Sequence, residues 1–402
     1  MISIGRFNMK NFNIDISLID RNIDLFLENL IDIALSQNAS DIHIEGLKRQ
    51  ARIRLRIDGS LVELVRFDES QFLKLVSKVK LLSNLEIYER RKPKDGRLYL
   101  ERFKDIDFRI STINTVNGEK LVIRILSFKQ FSNASDLLGF SQRSKEILEK
   151  IVREKTGMVI FSGPTGSGKS TSLYSLLEKI NKEETNIVTV EDPVEYSIDG
   201  INQIEVNEKI DLDFAKSLRS ILRQDPDIIM VGEIRDEDTA KMAVRSAITG
   251  HLLLSTLHTR DAFSSIIRLK DLGVENYLLG ASLRALASQR LVRRLCSCKI
   301  EDKMTDFEYQ LASKYKKVDR NQVIYRKNSC EKCHGGYLGR EAIEEVFLVD
   351  EKTRAMILED RLDYKKIMDH QRQIGFVDIF QNGLEKVFNG ITTFDEILRA
   401  IG

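Results

Sequence analysis

One octapeptide, from Gly163 to Ser170, constrains the fold of this chain more than any other stretch of its sequence. It reads Gly-Pro-Thr-Gly-Ser-Gly-Lys-Ser and matches the pattern G-x-x-x-x-G-K-S/T in full. An apolar stretch at 158–162 precedes it, and a helical pattern at 171–180 follows it. Glycines allow backbone N–H groups to turn towards bound phosphates, and the N-terminus of the following helix adds a partial positive charge. The octapeptide therefore predicts a phosphate-binding loop between a strand and a helix.

Two side chains of this loop are predicted to contact a bound nucleoside triphosphate. Lys169 can reach its β- and γ-phosphates, and the hydroxyl of Ser170 can ligate Mg²⁺. The pattern thus predicts ATP and Mg²⁺ as the cofactors. Further contacts with the nucleotide are predicted for Gly163, Pro164, Thr165, Gly166, Ser167, Gly168 and Thr171.

A second apolar run, at 228–231, leads to an acidic residue, Glu233. Such a strand carries its acid to the edge of the sheet where phosphates bind. There a carboxylate can hold the Mg²⁺ shell or orient the attacking water. Because Glu233 follows a complete phosphate-binding motif, we predict that it has a functional role rather than simply ending a strand.

From about residue 140 onward, apolar runs alternate with helical segments. The runs lie at 158–161, 187–190, 228–231 and 252–254. Short, predominantly apolar runs of this kind are typical of parallel strands buried on both faces. The fold class predicted for this part of the chain is therefore α/β.

The part before residue 130 has a different pattern. Asp58-Gly59 stands between two alternating stretches and predicts a β-hairpin. We expect a small α+β domain here, joined to the α/β domain by a linker at 127–136. Its other elements are predicted as helices at 21–36 and 69–83 and strands at 97–100, 106–113 and 120–126.

Composition excludes some classes of function. Lys and Arg number 63 against 61 Asp and Glu, so a net charge of +2 gives no field that would attract nucleic acid, and we expect no nucleic-acid partner. No apolar run approaches the ~18–20 residues of a membrane span, and the N-terminus lacks the apolar core of a signal peptide. We therefore expect a cytoplasmic protein.

Four cysteines stand in two close pairs, Cys296 with Cys298 and Cys330 with Cys333. In a reducing compartment, four such thiols can supply a tetrahedral shell to Zn²⁺, although they could also be unpaired thiols, and His334 could replace one of them. The stretch between the pairs, 301–327, is charged and has few apolar residues. We therefore expect a structural Zn²⁺ to be the source of its order.

The motifs together resemble the secretion ATPase superfamily, in the branch of type II secretion and type IV pilus assembly. Residues 188–196 (VTVEDPVEY) are similar to its Asp box, and residues 249–251 and 255–259 (TGH and STLHT) to its His box. Other stretches similar to the family are 40–45, 56–59, 218–227 and, after the cysteines, 336–340. The first cysteine pair departs from the family, where two residues rather than one separate the thiols.

The resemblance implies roles for individual residues. Glu233 would be the catalytic carboxylate and Glu191 a second acid near the Mg²⁺ and the water. His251 and His258 would sense or bridge the γ-phosphate. Five arginines would complete the nucleotide site, the first two from the N-terminal domain and the others across a subunit boundary: Arg109, Arg124, Arg219, Arg223 and Arg235.

The resemblance also implies an architecture. A short extension (1–19) would precede a PAS-like α+β domain (20–130) and a RecA-like ATPase domain (131–295). A tetracysteine insertion (296–345) and a helical C-terminal region (346–402) would follow. Many family members carry an extra N-terminal docking domain, and only about 20 residues precede the first predicted helix here, so we do not expect docking through such a domain.

The function that the resemblance implies is an ATPase motor for assembly of a secretion pseudopilus or a type IV or competence pilus. It would form a homo-hexamer at the inner membrane, bound there through a platform protein and a cytoplasmic docking protein. One alternative is a pilus-retraction motor, although retraction motors generally lack the tetracysteine segment. Others are a non-hydrolysing scaffold subunit, which the intact Lys169 and Glu233 disfavour, and a nucleic-acid translocase, which the near-neutral charge disfavours.

Overall fold

The computed structural model describes residues 14–104, 106–127, 137, 139–154, 156–359 and 361–402. The chain divides into two units, Met1–Ser132 and Asn133–Gly402. The predicted linker lies outside the described residues except for Ser127, and the predicted N-terminal extension is described only from Ile14 onward.

The first unit is a six-stranded antiparallel sheet with helices. Its elements are α1 (Leu18–Arg21), α2 (Ile23–Ser36), β1 (Asp41–Gly46), β2 (Ala51–Ile57), β3 (Ser60–Phe67), α3 (Glu69–Leu82), β4 (Lys94–Leu98), β5 (Ile106–Thr115) and β6 (Gly118–Ser127). The strand order is β3-β2-β1-β6-β5-β4. Helix α2 forms because apolar residues recur at helical spacing, and its buried side chains, from Phe26 to Ala34, pack on this sheet.

The predicted hairpin is confirmed as the β2–β3 pair. Asp58 and Gly59 both have positive φ, 48° and 82°, as a two-residue hairpin turn requires. The strand predicted at 97–100 begins earlier, at Lys94, and ends at Leu98, because the chain then turns into a short 3-10 helix, Glu101–Phe103.

The second unit contains a seven-stranded sheet with helices. Its first elements are α4 (Gln142–Arg153), β7 (Gly157–Ser162), α5 (Lys169–Ile180), β8 (Ile187–Glu191), β9 (Asn202–Glu205), α6 (Phe214–Ile221), β10 (Ile228–Val231), α7 (Glu237–Ile248), β11 (Leu252–Leu257), α8 (Ala262–Asp271) and α9 (Asn276–Ser282). They are followed by β12 (Leu283–Leu295), β13 (Ile300–Lys303), α10 (Asp306–Ser313), β14 (Val323–Arg326), β15 (Tyr337–Leu348), α11 (Glu351–Leu358), α12 (Tyr364–Gln373), α13 (Ile379–Phe388) and α14 (Phe394–Ile401).

The strand order of this sheet is β15-β12-β7-β11-β10-β8-β9. All neighbouring strands are parallel except β15, which pairs antiparallel with β12. The four predicted parallel strands are β7, β8, β10 and β11, and every residue in them is buried because helices cover both faces. The predicted α/β fold class is therefore confirmed.

Two long strands, β12 and β15, extend the sheet beyond the predicted strands. β15 spans Tyr337–Leu348, so most of it falls within the stretch that sequence assigned to the tetracysteine insertion. Its central residues, Ala342 to Phe347, are buried against the rest of the unit. Of the predicted insertion, the part that lies outside the large sheet is therefore the stretch between β12 and β15.

This outlying stretch has secondary structure and apolar contacts that its composition did not predict. It contains the two-stranded β13–β14 sheet and α10. Ala312 of α10 and Ile324 of β14 are fully buried in an apolar cluster with residues of α13 and α14. The C-terminal helices thus supply apolar contacts that the stretch itself lacks.

Among the described residues, no helix combines the length and the apolar character that crossing a bilayer requires.

Candidate functional site

Three parallel strands bring the predicted nucleotide-binding residues to one edge of the large sheet. Strands β7, β10 and β11 lie side by side and run in the same direction. The phosphate-binding loop follows β7, Glu233 follows β10, and His258 follows β11. The carboxyl ends of parallel strands are where ligands bind in open α/β sheets. The site is therefore at the carboxyl edge of the central strands.

The phosphate-binding loop depends on glycine at three positions. Gly163, Gly166 and Gly168 have φ values of 146°, 77° and 88°, which other residues rarely adopt. Helix α5 begins directly after the loop, at Lys169, so that its free N–H groups face the loop. The hydroxyl of Ser167 is buried and has no hydrogen-bond partner among the described residues. These features fit a loop that wraps phosphate groups.

Lys169 is held over the loop. Its Nζ donates hydrogen bonds to the carbonyl oxygens of Gly163 and Pro164, at 2.8 and 3.1 Å. Burial lowers the pKa of Lys169 to about 8, the carboxylate of Glu233 opposes this shift, and the positive charge of Arg290 adds to it. Lys169 and Glu233 are thus close enough to interact electrostatically.

Glu233 is the centre of a charged cluster. One of its oxygens forms an ion pair with Arg235, and the other lies 3.4 Å from Nε2 of His258. Arg235 also lies 3.7 Å from the carboxylate of Asp192. Burial lowers the pKa of His258, as does the nearby charge of Lys169, while the carboxylate of Glu233 opposes the shift, so the neutral imidazole is favoured at pH 7. The predicted residues Lys169, Glu233 and His258 therefore lie together.

Glu191 has different surroundings, although it also ends a buried strand. Its carboxylate accepts hydrogen bonds from the hydroxyls of Thr189 (2.6 Å) and Tyr174 and from Nε2 of Gln203 (3.1 Å). Burial raises the pKa of Glu191, and these three donors oppose the rise. Glu191 is therefore held in a buried polar cage that links β8 to α5 and β9.

Sequence reasoning did not identify the residues of this cage. Tyr174 is buried on α5, five positions after Lys169, and its ring packs edge-on against Tyr196 at 4.7 Å between centroids. Its position on the helix that follows the phosphate-binding loop was visible in the sequence. A buried tyrosine hydroxyl needs a partner, but only the packing of α5 on β8 shows that Glu191 is that partner.

Three other predicted residues lie away from the cluster. His251 precedes β11 whereas His258 follows it, so the two histidines are at opposite edges of the sheet. Nδ1 of His251 donates to the carbonyl of Ser246 at 2.9 Å. Arg219 and Arg223 are exposed near the end of α6, before β10 begins. The geometry within one chain therefore gives no support to a role for His251 at the γ-phosphate.

The arginines predicted from the N-terminal domain stand opposite each other in the sheet of the first unit. Arg109 on β5 is paired with Arg124 on β6. Nε of Arg124 donates to the carboxylate of Asp41 at 3.1 Å, and Nε of Arg109 lies 3.5 Å from Asp107. The pairing gives this face of the first unit two adjacent guanidinium groups.

The four cysteines come together at the end of the β12–β15 strand pair. Their Sγ atoms all lie within 4.8 Å of one another. Three of the separations are 3.7, 3.8 and 3.7 Å, for Cys296–Cys330, Cys298–Cys333 and Cys330–Cys333. His334 is not a member of this group among the described residues.

These separations suit a metal. A disulfide would need sulfur atoms about 2.05 Å apart, whereas four thiolates at about 2.3 Å from a tetrahedral Zn²⁺ would lie about 3.8 Å apart. The C-x-C spacing of Cys296 and Cys298 does not prevent both from joining the group. The four thiols therefore fit a structural Zn²⁺.

Most of this chain is similar in sequence to known proteins. A family model described as "Type II/IV secretion system protein" matches residues 19–399. A type II secretion system protein E from Dickeya dadantii is 41% identical over 385 residues, which are 94% of this chain and 76% of that protein. The type IV pilus assembly ATPase PilB of Thermus thermophilus is 42% identical over 378 residues, which are 93% of this chain and 42% of PilB.

Solved structures share the fold. The pilus retraction motor PilT, in a crystal structure with bound ADP, has a TM-score of 0.63 at 26% identity, over 92% of this chain and 95% of that one. The ATPase DotB of Legionella pneumophila has a TM-score of 0.67 at 19% identity, over 94% and 95% of the two chains. The likeness to DotB is evidence of the fold alone.

We predict that Tyr174→Phe destabilises the protein by about 1–3 kcal/mol at pH 7, because it leaves the buried Glu191 with one donor fewer. The loss should grow as the pH rises through the raised pKa of Glu191, since the ionised carboxylate depends most on the donor. Chemical unfolding at several pH values measures this loss in the free energy of unfolding. The control is Tyr196→Phe, whose hydroxyl donates at 3.3 Å to Glu178 and whose loss should cost less. If the two variants lose the same stability at every pH, the role given to Tyr174 is contradicted.

We predict that the purified protein holds close to one Zn²⁺ per chain, measured by elemental analysis. Cys330→Ser should lose the metal and make the stretch between β12 and β15 sensitive to protease. Ser329→Ala, at the neighbouring position, should keep both the metal and the resistance. Wild-type protein that is free of metal, although purified without chelator and with reduced thiols, would contradict this prediction.

Proposed function

We propose that this chain, which belongs to the family of type II/IV secretion system proteins, is an ATP-hydrolysing motor. It would power assembly of a type II secretion pseudopilus or of a type IV or competence pilus. The observation that carries the proposal is the cluster of Lys169, Glu233 and His258 beside a complete phosphate-binding loop. Phosphoryl transfer to water needs little more than positioned phosphates, a metal and an oriented nucleophile.

In this proposal the loop backbone and Lys169 bind the phosphates, and Ser170 with Glu233 would hold Mg²⁺, which neutralises phosphate charge when bound. Ser170 is exposed at the start of α5, where its hydroxyl is accessible to a metal. The neutral His258 can donate a hydrogen bond to the γ-phosphate from beside Glu233. Its position supports a role in sensing that phosphate.

Glu233 is the better candidate for orienting the attacking water. Its carboxylate is near Lys169, and its close partners among the described residues are Arg235 and His258. The carboxylate of Glu191, in contrast, already accepts three hydrogen bonds inside a buried cage. We therefore assign the water to Glu233 and give Glu191 the role of fixing the strand end and α5.

The motor would act as a homo-hexamer on the cytoplasmic side of the inner membrane, through a platform protein and a cytoplasmic docking protein. Arg109 and Arg124 of the first unit would also contact the nucleotide, as the resemblance implies. Because Arg235 pairs with Glu233 in its own chain, Arg219 and Arg223 are the better candidates for contacts with the site of a neighbouring subunit.

A pilus-retraction motor is the second candidate, because the structure of PilT is similar over most of the chain. The four-cysteine group favours assembly, since the resemblance to the assembly branch includes this segment. The identity of about 41% to type II secretion system protein E, against 26% to PilT, supports the same choice.

We predict different defects for two substitutions in the site. Lys169→Ala should weaken ATP binding about tenfold or more, because a charged contact with the phosphates is lost. Glu233→Gln should bind ATP but lower kcat about a hundredfold or more, because the water is no longer oriented. Equilibrium binding of a fluorescent ATP analogue and phosphate release measure the two effects. Glu237→Gln, on the exposed first turn of α7, is the control. Turnover close to wild type in Glu233→Gln would move the catalytic role to Glu191.

We predict that sites are shared between subunits. Lys169→Ala chains mixed with Arg219→Ala or Arg223→Ala chains should regain ATPase activity, because some sites then contain an intact loop and an intact arginine. Mixing Lys169→Ala with Glu233→Gln should give no recovery, since both defects lie in one chain's half of the site. Absence of recovery, with mixed rings established by native mass spectrometry, would rule out a role for either arginine across the boundary.

A further inference from the structure

The central residues of β12 lie directly beside the phosphate-binding loop. Strand β12 runs parallel to β7, with Ser288 opposite Ser162, so that Gln289 falls next to Gly163. A Cβ atom placed on Gly163 would lie 2.5 Å from the carbonyl oxygen of Gln289 and 3.1 Å from Nη1 of Arg290. The first glycine of the loop is therefore packed against this dipeptide.

The side chain of Gln289 reaches the other end of the loop. Its Oε1 accepts a hydrogen bond from the hydroxyl of Ser172 at 2.8 Å, and both groups are buried. A Cβ atom on Gly168 would lie 2.7 Å from Nε2 of Gln289. Gly168 and Ser172 flank the first turn of α5. Gln289 thus contacts both glycines that bound the loop.

Arg290 connects the loop to the segment after β11. Its Nη2 donates to the carbonyl oxygen of Arg260 at 2.6 Å, and its Nη1 donates to the carbonyl of Gln289 at 2.9 Å and to the hydroxyl of Ser288 at 3.4 Å. Arg260 is two residues from His258. A single buried guanidinium therefore contacts the phosphate-binding loop and also the segment that carries His258.

The charge of Arg290 is unusual for a buried site. Among the described residues, its hydrogen-bond acceptors are all neutral oxygens and no carboxylate forms an ion pair with it, yet an arginine stays protonated in proteins. Burial lowers the pKa of Arg290, and the nearby carboxylates of Glu345 and Asp261 oppose this shift. A buried charge acts over a longer distance than one in water, and Arg290 is one of the charges that lower the pKa of Lys169.

We infer that Gln289 and Arg290 are positioning residues for the nucleotide: they fix the phosphate-binding loop relative to the His258 segment, and Arg290 adds a buried positive charge that bound phosphates offset. The inference rests on the proposed ATP site and adds two residues to it. Neither residue needs to contact the nucleotide, because each acts through the loop backbone or through its field.

The same strand carries a matched control, Arg284. Within the described part of the chain, its guanidinium likewise donates to neutral oxygens, the main-chain carbonyls of Ala281, Ser282 and Leu283. It also packs against a glycine of β7, since a Cβ on Gly157 would lie 2.5 Å from Cγ of Arg284. Gly157 begins β7, however, so Arg284 lies at the edge of the sheet opposite the site.

The test compares Arg290→Met, Arg290→Lys and Arg284→Met by equilibrium binding of a fluorescent ATP analogue, by kcat and KM, and by thermal unfolding. Arg290→Met should raise Kd and KM about tenfold or more, with a smaller change in kcat because Glu233 remains in place. Arg290→Lys keeps the charge without the bridge to Arg260, so its affinity should fall between wild type and Arg290→Met. Arg284→Met should bind like wild type.

The inference would be overturned if wild type binds the analogue and Arg290→Met binds it with the same affinity. An equal loss of affinity in Arg284→Met would also overturn it. Failure of the wild-type chain to bind the analogue would instead refute the proposed function. If Arg290→Met does not fold, Arg290→Lys and Gln289→Met carry the test. Gln289→Met keeps the packing on Gly168 and loses the bond to Ser172, so a Kd raised about fivefold is expected. Wild-type affinity in both variants would overturn the inference.

Discussion

The site depends on the position of one strand, β7, between β12 and β11. Each of its six residues is buried, and its backbone is hydrogen-bonded to a parallel strand on each side. A strand bound in this way cannot shift its register without moving both neighbours. The chain that leaves β7 therefore starts from a fixed point, and glycine is required at Gly163 because Gln289 leaves no space there for a side chain. The geometry of the loop follows from the sheet before any ligand binds.

Much of this arrangement could be predicted from the sequence, because the short apolar runs of β7, β8, β10 and β11 are buried on both faces. The strands β12 and β15 were harder to predict. β12 contains Arg284, Gln289, Arg290 and Arg293 among its apolar residues, and such a mixture is not typical of a central strand. These polar groups are tolerated because main-chain oxygens, Ser172 and Glu396 satisfy them, and sequence alone does not show those partners.

The two acids at strand ends show what the sequence could not predict about the site. Glu191 and Glu233 have the same local signal, a carboxylate at the end of a buried strand, and the sequence gives both of them a place near the water. Their environments differ because α5 and β9 enclose Glu191 with donors, whereas Glu233 is near Lys169 and His258. His251 and His258 differ for a simpler reason: six residues of β11 separate them, and one strand length carries them to opposite edges.

The order of the strands in the sheet also affects how the protein emerges from the ribosome. β7 begins at Gly157, but its neighbours begin at Leu252 and Leu283, so the central strand is made long before either of them. At about 5–20 residues per second, roughly 6–25 s separate the synthesis of β7 and β12. β7 has neither neighbour until β11 is made, about 5–19 s after it at the same rate. Throughout the interval the phosphate-binding loop lacks the β12 residues that pack against Gly163. The nascent chain must therefore keep an apolar strand from pairing with other chains, and its nucleotide site is complete only after β12 has been made.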